Sequence, residues 1–143
     1  MGMTTQASQR KRHRILVIEG DVSARRVIAA TLKDAGYVVT EAGAGDHAAA
    51  LLSLEQRPRV VSAILCDIRA PKINDCEAAV YFRARHPAIP VIVTSAYPDI
   101  EWAIALMKQG AADYLIKPVS REDLLMVVGN AVRRSALVNH EPS

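Results

Sequence analysis

The sequence predicts an α/β domain in which five parallel strands are covered on both faces by helices. Three observations carry this. Short β-branched runs recur five times and alternate with helix-like stretches, the pattern of successive βα units. Three of the runs are apolar on both faces, as expected of central strands in a parallel sheet. Several runs also break off into a polar residue, at Glu19, Asp67, Ser95 and Lys117. These breaks fall at the carboxyl ends of strands, where open α/β sheets carry their chemistry.

The elements follow in order. Arg14-Ile15-Leu16-Val17-Ile18 is the first strand, followed by a helix over 22–35 that stops at Gly36. The run 37–41 alternates apolar and polar residues and reads as an edge strand, and a second helix is predicted over 44–56. Residues 61–66 form a fully apolar strand that ends in Asp67, and Ile68-Arg69-Ala70-Pro71 then lead the chain out of the sheet. A helix over 74–85 precedes the strand 90–94. Pro98, Asp99 and Glu101 mark the start of a helix over 98–109, which Gly110 ends. The strand 112–116 leads to a final helix over 120–137, opened by Ser120 and Asp123 in a capping-box spacing. Right-handed crossovers between parallel strands make the domain doubly wound. On the helix 98–109, Ile100, Ala103, Ile104, Met107 and Ala111 form an i, i+3, i+4 stripe assigned to the core. That assignment turns Trp102 and Leu106 towards solvent.

Composition narrows the function classes. The chain has 143 residues, half of them apolar, which suits one domain and leaves little room for another. No apolar stretch approaches the roughly 18 residues needed to cross a bilayer. The four apolar residues after the basic stretch Arg10–Arg14 are too few for a signal-peptide core, so a cytoplasmic location is expected. Residues 1–14 hold four of the 18 basic residues and no acid, leaving 14 basic against 15 acidic residues in the body. The basicity therefore belongs to an amino-terminal tail, read as solvated; contact with nucleic acid or anionic lipid is the weaker reading. Cys66 and Cys76 lack ligand-spaced Cys or His neighbours, against structural zinc.

At the strand ends the chemistry is specific. Glu19 and Asp21 lie near Asp67, and clustered carboxylates suit a hard divalent cation with oxygen ligands. Ser95 and Lys117 offer a hydroxyl and an ammonium, which suit an anion such as a phosphoryl group. A cation side and an anion side around one carboxylate form a phosphoryl-transfer arrangement, with the aspartate as nucleophile.

The chain resembles the receiver domain of two-component response regulators across roughly residues 13–137. The resemblance rests on the acids after the first strand, Cys66-Asp67-Ile68-Arg69-Ala70-Pro71, Thr94-Ser95-Ala96-Tyr97, and Gly110-Ala111-Ala112-Asp113-Tyr114-Leu115-Ile116-Lys117-Pro118. It implies a flavodoxin-like (βα)5 fold with strand order 2-1-3-4-5, flanked by disordered tails at 1–12 and 138–143. It also implies that Asp67 accepts a phosphoryl group from a histidine kinase or histidine phosphotransferase. Ser95 then binds the phosphoryl oxygens after moving inward, Lys117 pairs with Asp67, and Tyr114 changes rotamer with Ser95. Lys117-Pro118 is cis in such domains. Mg²⁺ would be held by Glu19, Asp67 and the backbone carbonyl of Arg69. The surface read by a downstream protein would comprise the helix 98–109, the strand 112–116 and the last helix, with Trp102, Leu106 and Tyr114 exposed on it.

Two positions depart from the family pattern. Receivers usually place two adjacent acids after the first strand, whereas this chain has Glu19-Gly20-Asp21, so Gly20 stands at the direct metal ligand. Asp21 reaches the site only if the flexible Gly20 lets the loop shift. Asp75 replaces a usual glycine. The expectation is a stand-alone phosphoacceptor switch, not an enzyme beyond its own phosphorylation and dephosphorylation, with weakened Mg²⁺ binding. The alternative is a degenerate receiver acting as a phosphorylation-independent interaction module. DNA binding is disfavoured because only about six residues follow the last helix.

Overall fold

Alternating apolar strands and helices fold into a single five-stranded parallel sheet in the order β2-β1-β3-β4-β5. The computed structural model describes residues 13–43, 61–68, 77–96 and 99–140. Its elements are β1 (Arg14–Ile18), α1 (Val22–Asp34), β2 (Val38–Ala42), β3 (Val61–Ile68), α2 (Glu77–Arg85), β4 (Val91–Ser95), α3 (Ile100–Lys108), β5 (Asp113–Ile116) and α4 (Arg121–His140). The helix predicted over 44–56, the exit loop with Arg69 and Asp75, and the tail 1–12 lie outside the described residues. The last helix extends three residues past its predicted end at 137.

Local chemistry sets the helix limits. Asp21 caps α1 by accepting from Ala24 N at 3.0 Å, and Asp99 caps α3 by accepting from Trp102 N at 3.1 Å. Ser120 Oγ accepts from Asp123 N at 3.1 Å at the start of α4. Both α1 and α3 stop at a glycine with φ 104°, Gly36 and Gly110. At Gly110 space matters as well, because an added Cβ would collide with the Arg83 side chain.

Strand register divides the core into two layers. Ile15, Val17, Ala63, Leu65 and Ile92 pack on one face beneath α1 and α4. Leu16, Ile18, Ile64, Cys66, Val91 and Val93 pack on the other with Phe82 of α2 and Leu106 of α3. β2 is only partly covered, as expected of an edge strand.

The helix α3 is turned opposite to the sequence expectation. Leu106 is 3% exposed and Trp102 packs against the core, whereas Ile100, Ile104 and Met107 are 74%, 49% and 44% exposed. Trp102 and Leu106, one turn apart, form a second apolar stripe on the same helix. Periodicity alone gives no preference between two apolar stripes. The path from the Asp99 cap to the Gly110 stop sets the rotation, and the larger indole takes the inner position. Trp102 Nε1 lies buried with no hydrogen-bond partner among the described residues.

This rotation predicts the mutational pattern of α3. Leu106→Ala should cost about 2–5 kcal/mol in urea unfolding, while Ile100→Ala and Ile104→Ala should stay within about 0.5 kcal/mol. The reverse ranking would refute the observed orientation.

Candidate functional site

The sheet register assembles the site. Cys66 pairs with Ile18 and Asp67 with Thr94, so Glu19, Asp67 and Thr94 follow one another across the carboxyl rim. By the alternation of side chains these three and Lys117 end the face covered by α1 and α4. Lys117 Nζ contacts Asp67 Oδ1 at 2.6 Å and also hydrogen-bonds Glu19 Oε1. The Glu19 side chain is 2% exposed, that of Asp67 9% and that of Lys117 24%. One ammonium therefore bridges two largely buried carboxylates.

Neighbouring groups hold the bridge in place. Arg25 Nη1 donates to the Glu19 carbonyl at 2.9 Å, and its Nε donates to Glu41 at 3.3 Å, tying the ends of β1 and β2 to α1. Asp21 N donates to Glu19 Oε2 at 3.4 Å. Lys117 N donates to the Ser95 carbonyl at 2.7 Å, and the Lys117-Pro118 bond is cis. Thr94 Oγ donates to Asp67 Oδ1 at 3.4 Å. Sequence reasoning passed over Thr94 because a threonine within Val-Ile-Val-Thr reads as strand propensity. Its register opposite Asp67 is the signal that identifies it.

The opposite face contributes a different set. Ser95, fully buried, pairs with Ile68, and Tyr114 pairs with Val93. Tyr114 packs with Trp102 and Ala111 against the core on that side. Asp21 remains the cap of α1, and Leu106 belongs to the core.

A family model of the response regulator receiver domain matches residues 15–129. The chain belongs to this family. Among its relatives is the transcriptional regulatory protein ZraR of Escherichia coli O157:H7, 35% identical over 128 residues, or 89% of this chain and 28% of ZraR. A putative NtrX-like response regulator of Rickettsia typhi is 33% identical over 82% of this chain and 24% of its own length. The chain thus spans about a quarter of the length of these relatives. The structure resembles a receiver domain protein from Clostridium thermocellum, with a TM-score of 0.79 at 26% identity, covering 88% of this chain and 98% of that one. It also resembles the receiver domain of NtrX from Brucella abortus, with a TM-score of 0.73 at 26% identity, covering 83% and 98%.

Receiver domains are signalling domains that interact with histidine kinases and generally use Mg²⁺ for phosphorylation. The described donors of this receiver do not fit an open Mg²⁺ site. Mg²⁺ requires oxygen ligands in near-octahedral geometry. Gly20 brings no side-chain oxygen, Asp21 is engaged at the helix cap, and both Glu19 and Asp67 already hold Lys117.

Electrostatics separates the two carboxylates. Burial raises the Asp67 carboxyl above its ordinary value, and the adjacent Glu19 adds to this against the pull of Lys117. Burial acts on Glu19 too, but the bonds to Lys117 and Asp67 outweigh it and hold that carboxyl below its ordinary value. Lys117 loses affinity for its proton through burial and regains more from Asp67 and Glu19, ending above the usual lysine value.

The signs then follow by linkage. Glu19 stabilises the fold above its unfolded-state value, and that support is lost as pH falls through its depressed folded one. Support from Lys117 is complete below the ordinary lysine value and disappears as pH rises through the elevated one. Ionising Asp67 costs stability as pH rises from the ordinary aspartate value through its raised one. Asp67→Asn, which imitates the protonated carboxyl, should therefore raise the urea midpoint at pH 7. The difference from wild type should shrink as pH falls below the ordinary aspartate range. A lowered midpoint at pH 7 would show that attraction to Lys117 outweighs burial.

Proposed function

We propose that this receiver accepts a phosphoryl group on Asp67 from a histidine kinase or histidine phosphotransferase and transmits the event through a conformational switch. The observation that carries the reading is the Lys117 ammonium 2.6 Å from Asp67 Oδ1 at the rim of the sheet. An Asp67 oxygen attacks phosphorus, the bond from phosphorus to the donor's imidazole nitrogen breaks, and the electron pair leaves with that nitrogen. Lys117 balances the charge of the resulting acyl phosphate, and the Ser95 hydroxyl binds a phosphoryl oxygen. Tyr114, on the same sheet face as Ser95, follows the movement of that hydroxyl.

The downstream partner reads α3, β5 and α4. Ile100, Ile104 and Met107 of α3 and Ile116 of β5 are exposed and line one apolar groove, which makes them the anchors in place of Trp102 and Leu106. The receiver unit runs from residue 13 through the last helix, which ends at His140, and acts in the cytoplasm. No helix among the described residues is long and apolar enough to cross a membrane. ZraR is named a transcriptional regulatory protein, and this chain matches 28% of its length.

Mg²⁺ binding is weakened because Gly20 supplies no carboxylate, and phosphorylation is correspondingly slow. A second reading, an interaction module without phosphoryl chemistry, draws on Gly20, which supplies no carboxylate where a receiver's second acid is expected.

Incubation with a small phosphodonor, with and without Mg²⁺, followed by intact mass, separates the two. The switch predicts slow gain of one phosphoryl group, absent in Asp67→Asn and accelerated about tenfold to hundredfold by Gly20→Asp. No gain under any condition supports the interaction module, and fast labelling of the wild type refutes the weakened site.

A further inference from the structure

We infer that Thr94 is a positioning residue of this receiver: its hydroxyl holds Oδ1 of Asp67, leaves Oδ2 to carry the phosphoryl group, and hastens the loss of that group. The inference rests on the phosphoacceptor reading above and adds a residue to it.

Thr94 stands opposite Asp67 in the pairing of β3 with β4, and it is 2% exposed. A hydroxyl that water does not reach needs an acceptor within the protein. Asp67 Oδ1 supplies one at 3.4 Å, and the Lys117 ammonium lies on the same oxygen at 2.6 Å. Both donors therefore meet Oδ1, while Oδ2 receives no hydrogen bond from the described residues. The hydroxyl also stands apart from the opening of the site. Glu19, Asp21, Asp67, Ile68, Ala96 and Lys117 line a cleft of about 360 Å³, ample for a phosphoryl group, and Thr94 is not among them. A phosphodonor reaches Asp67 through this cleft, whereas Thr94 touches the carboxylate from the neighbouring strand.

This placement favours one direction of the chemistry. Phosphoryl transfer passes a loose transition state in which the attacking and leaving oxygens bond little to phosphorus. As Oδ2 attacks, Asp67 still carries most of its charge, so the bond at Oδ1 is nearly as strong as at rest. In the acyl phosphate that charge is gone, and Oδ1 is a carbonyl oxygen that holds the hydroxyl more weakly. In hydrolysis water attacks phosphorus, the bond from phosphorus to Oδ2 breaks, and its electron pair returns to the carboxylate. The water oxygen stays on the released phosphate, and a proton passes to solvent. As charge spreads back onto Oδ1 the Thr94 bond strengthens, which favours the transition state over the acyl phosphate. Thr94 thus shortens the life of the phosphorylated state and leaves its formation nearly unchanged.

The test labels the full chain with a small phosphodonor, removes the donor, and follows first-order loss of the phosphoryl group by intact mass. Thr94→Val keeps the β-branched shape and drops the hydroxyl. It should label within about twofold of the wild-type rate and lose the group about threefold to tenfold more slowly. Thr94→Ser, which keeps a hydroxyl, should decay as wild type does. A packing role alone would make serine, which lacks the methyl group, the more damaging change. Should Thr94→Val not fold, Thr94→Ala repeats the deletion. Decay of the hydroxyl-free variant as fast as wild type would overturn the inference and leave the phosphoacceptor reading standing. Decay of Thr94→Ser as slow as that of Thr94→Val would also overturn it. No labelling of the wild type, with or without Mg²⁺, would remove both.

Discussion

An ammonium group held between two buried carboxylates organises the working end of this domain. Lys117 reaches Glu19 from one strand end and Asp67 from another, and its own backbone is tied to Ser95. Without that cation, two largely buried carboxylates would face each other uncompensated. Buried like charges are tolerated only when paired, and removing the cation would leave two uncompensated carboxylates at a cost of several kcal/mol. The contact is therefore structural support as well as chemistry. The two carboxylates are shifted in opposite directions: the bonds to Lys117 and Asp67 hold Glu19 below its ordinary value against burial, while burial and the adjacent Glu19 raise Asp67.

The parallel sheet distributes the remaining parts by the parity of its strands. Residues two apart along a strand share a face, so the acids, Thr94 and Lys117 collect on one side of the rim while Ser95 and Tyr114 collect on the other. Each half borders a different core layer and different helices.

Much of this was legible in the sequence because polar residues interrupting apolar strands are costly and therefore informative. Asp67, Lys117 and Glu19 stand out for that reason, and the strand order follows from the family their motifs match. The rotation of α3 was not legible. Its two apolar stripes satisfy the same periodicity, and the choice between them is made by the cap at Asp99, the stop at Gly110 and the volume available to the indole. Thr94 escaped for another reason, since only pairing with β3 distinguishes a site hydroxyl from an ordinary strand threonine. The role of Asp21 needed the observed cap, because a carboxylate beside a helix start serves equally as ligand or as cap until its acceptor is seen.

Trp102 has a practical consequence. It is the only tryptophan in the chain, and it packs with Tyr114 against the core layer bordered by Ser95. Intrinsic fluorescence excited at the indole therefore originates from a single place, the hydroxyl-and-aromatic half of the rim. The carboxylate–lysine half contains no chromophore of its own among the described residues. The protein thus carries a built-in optical reporter on the Ser95 and Tyr114 side of the sheet, and needs no label for movement there to be followed in real time.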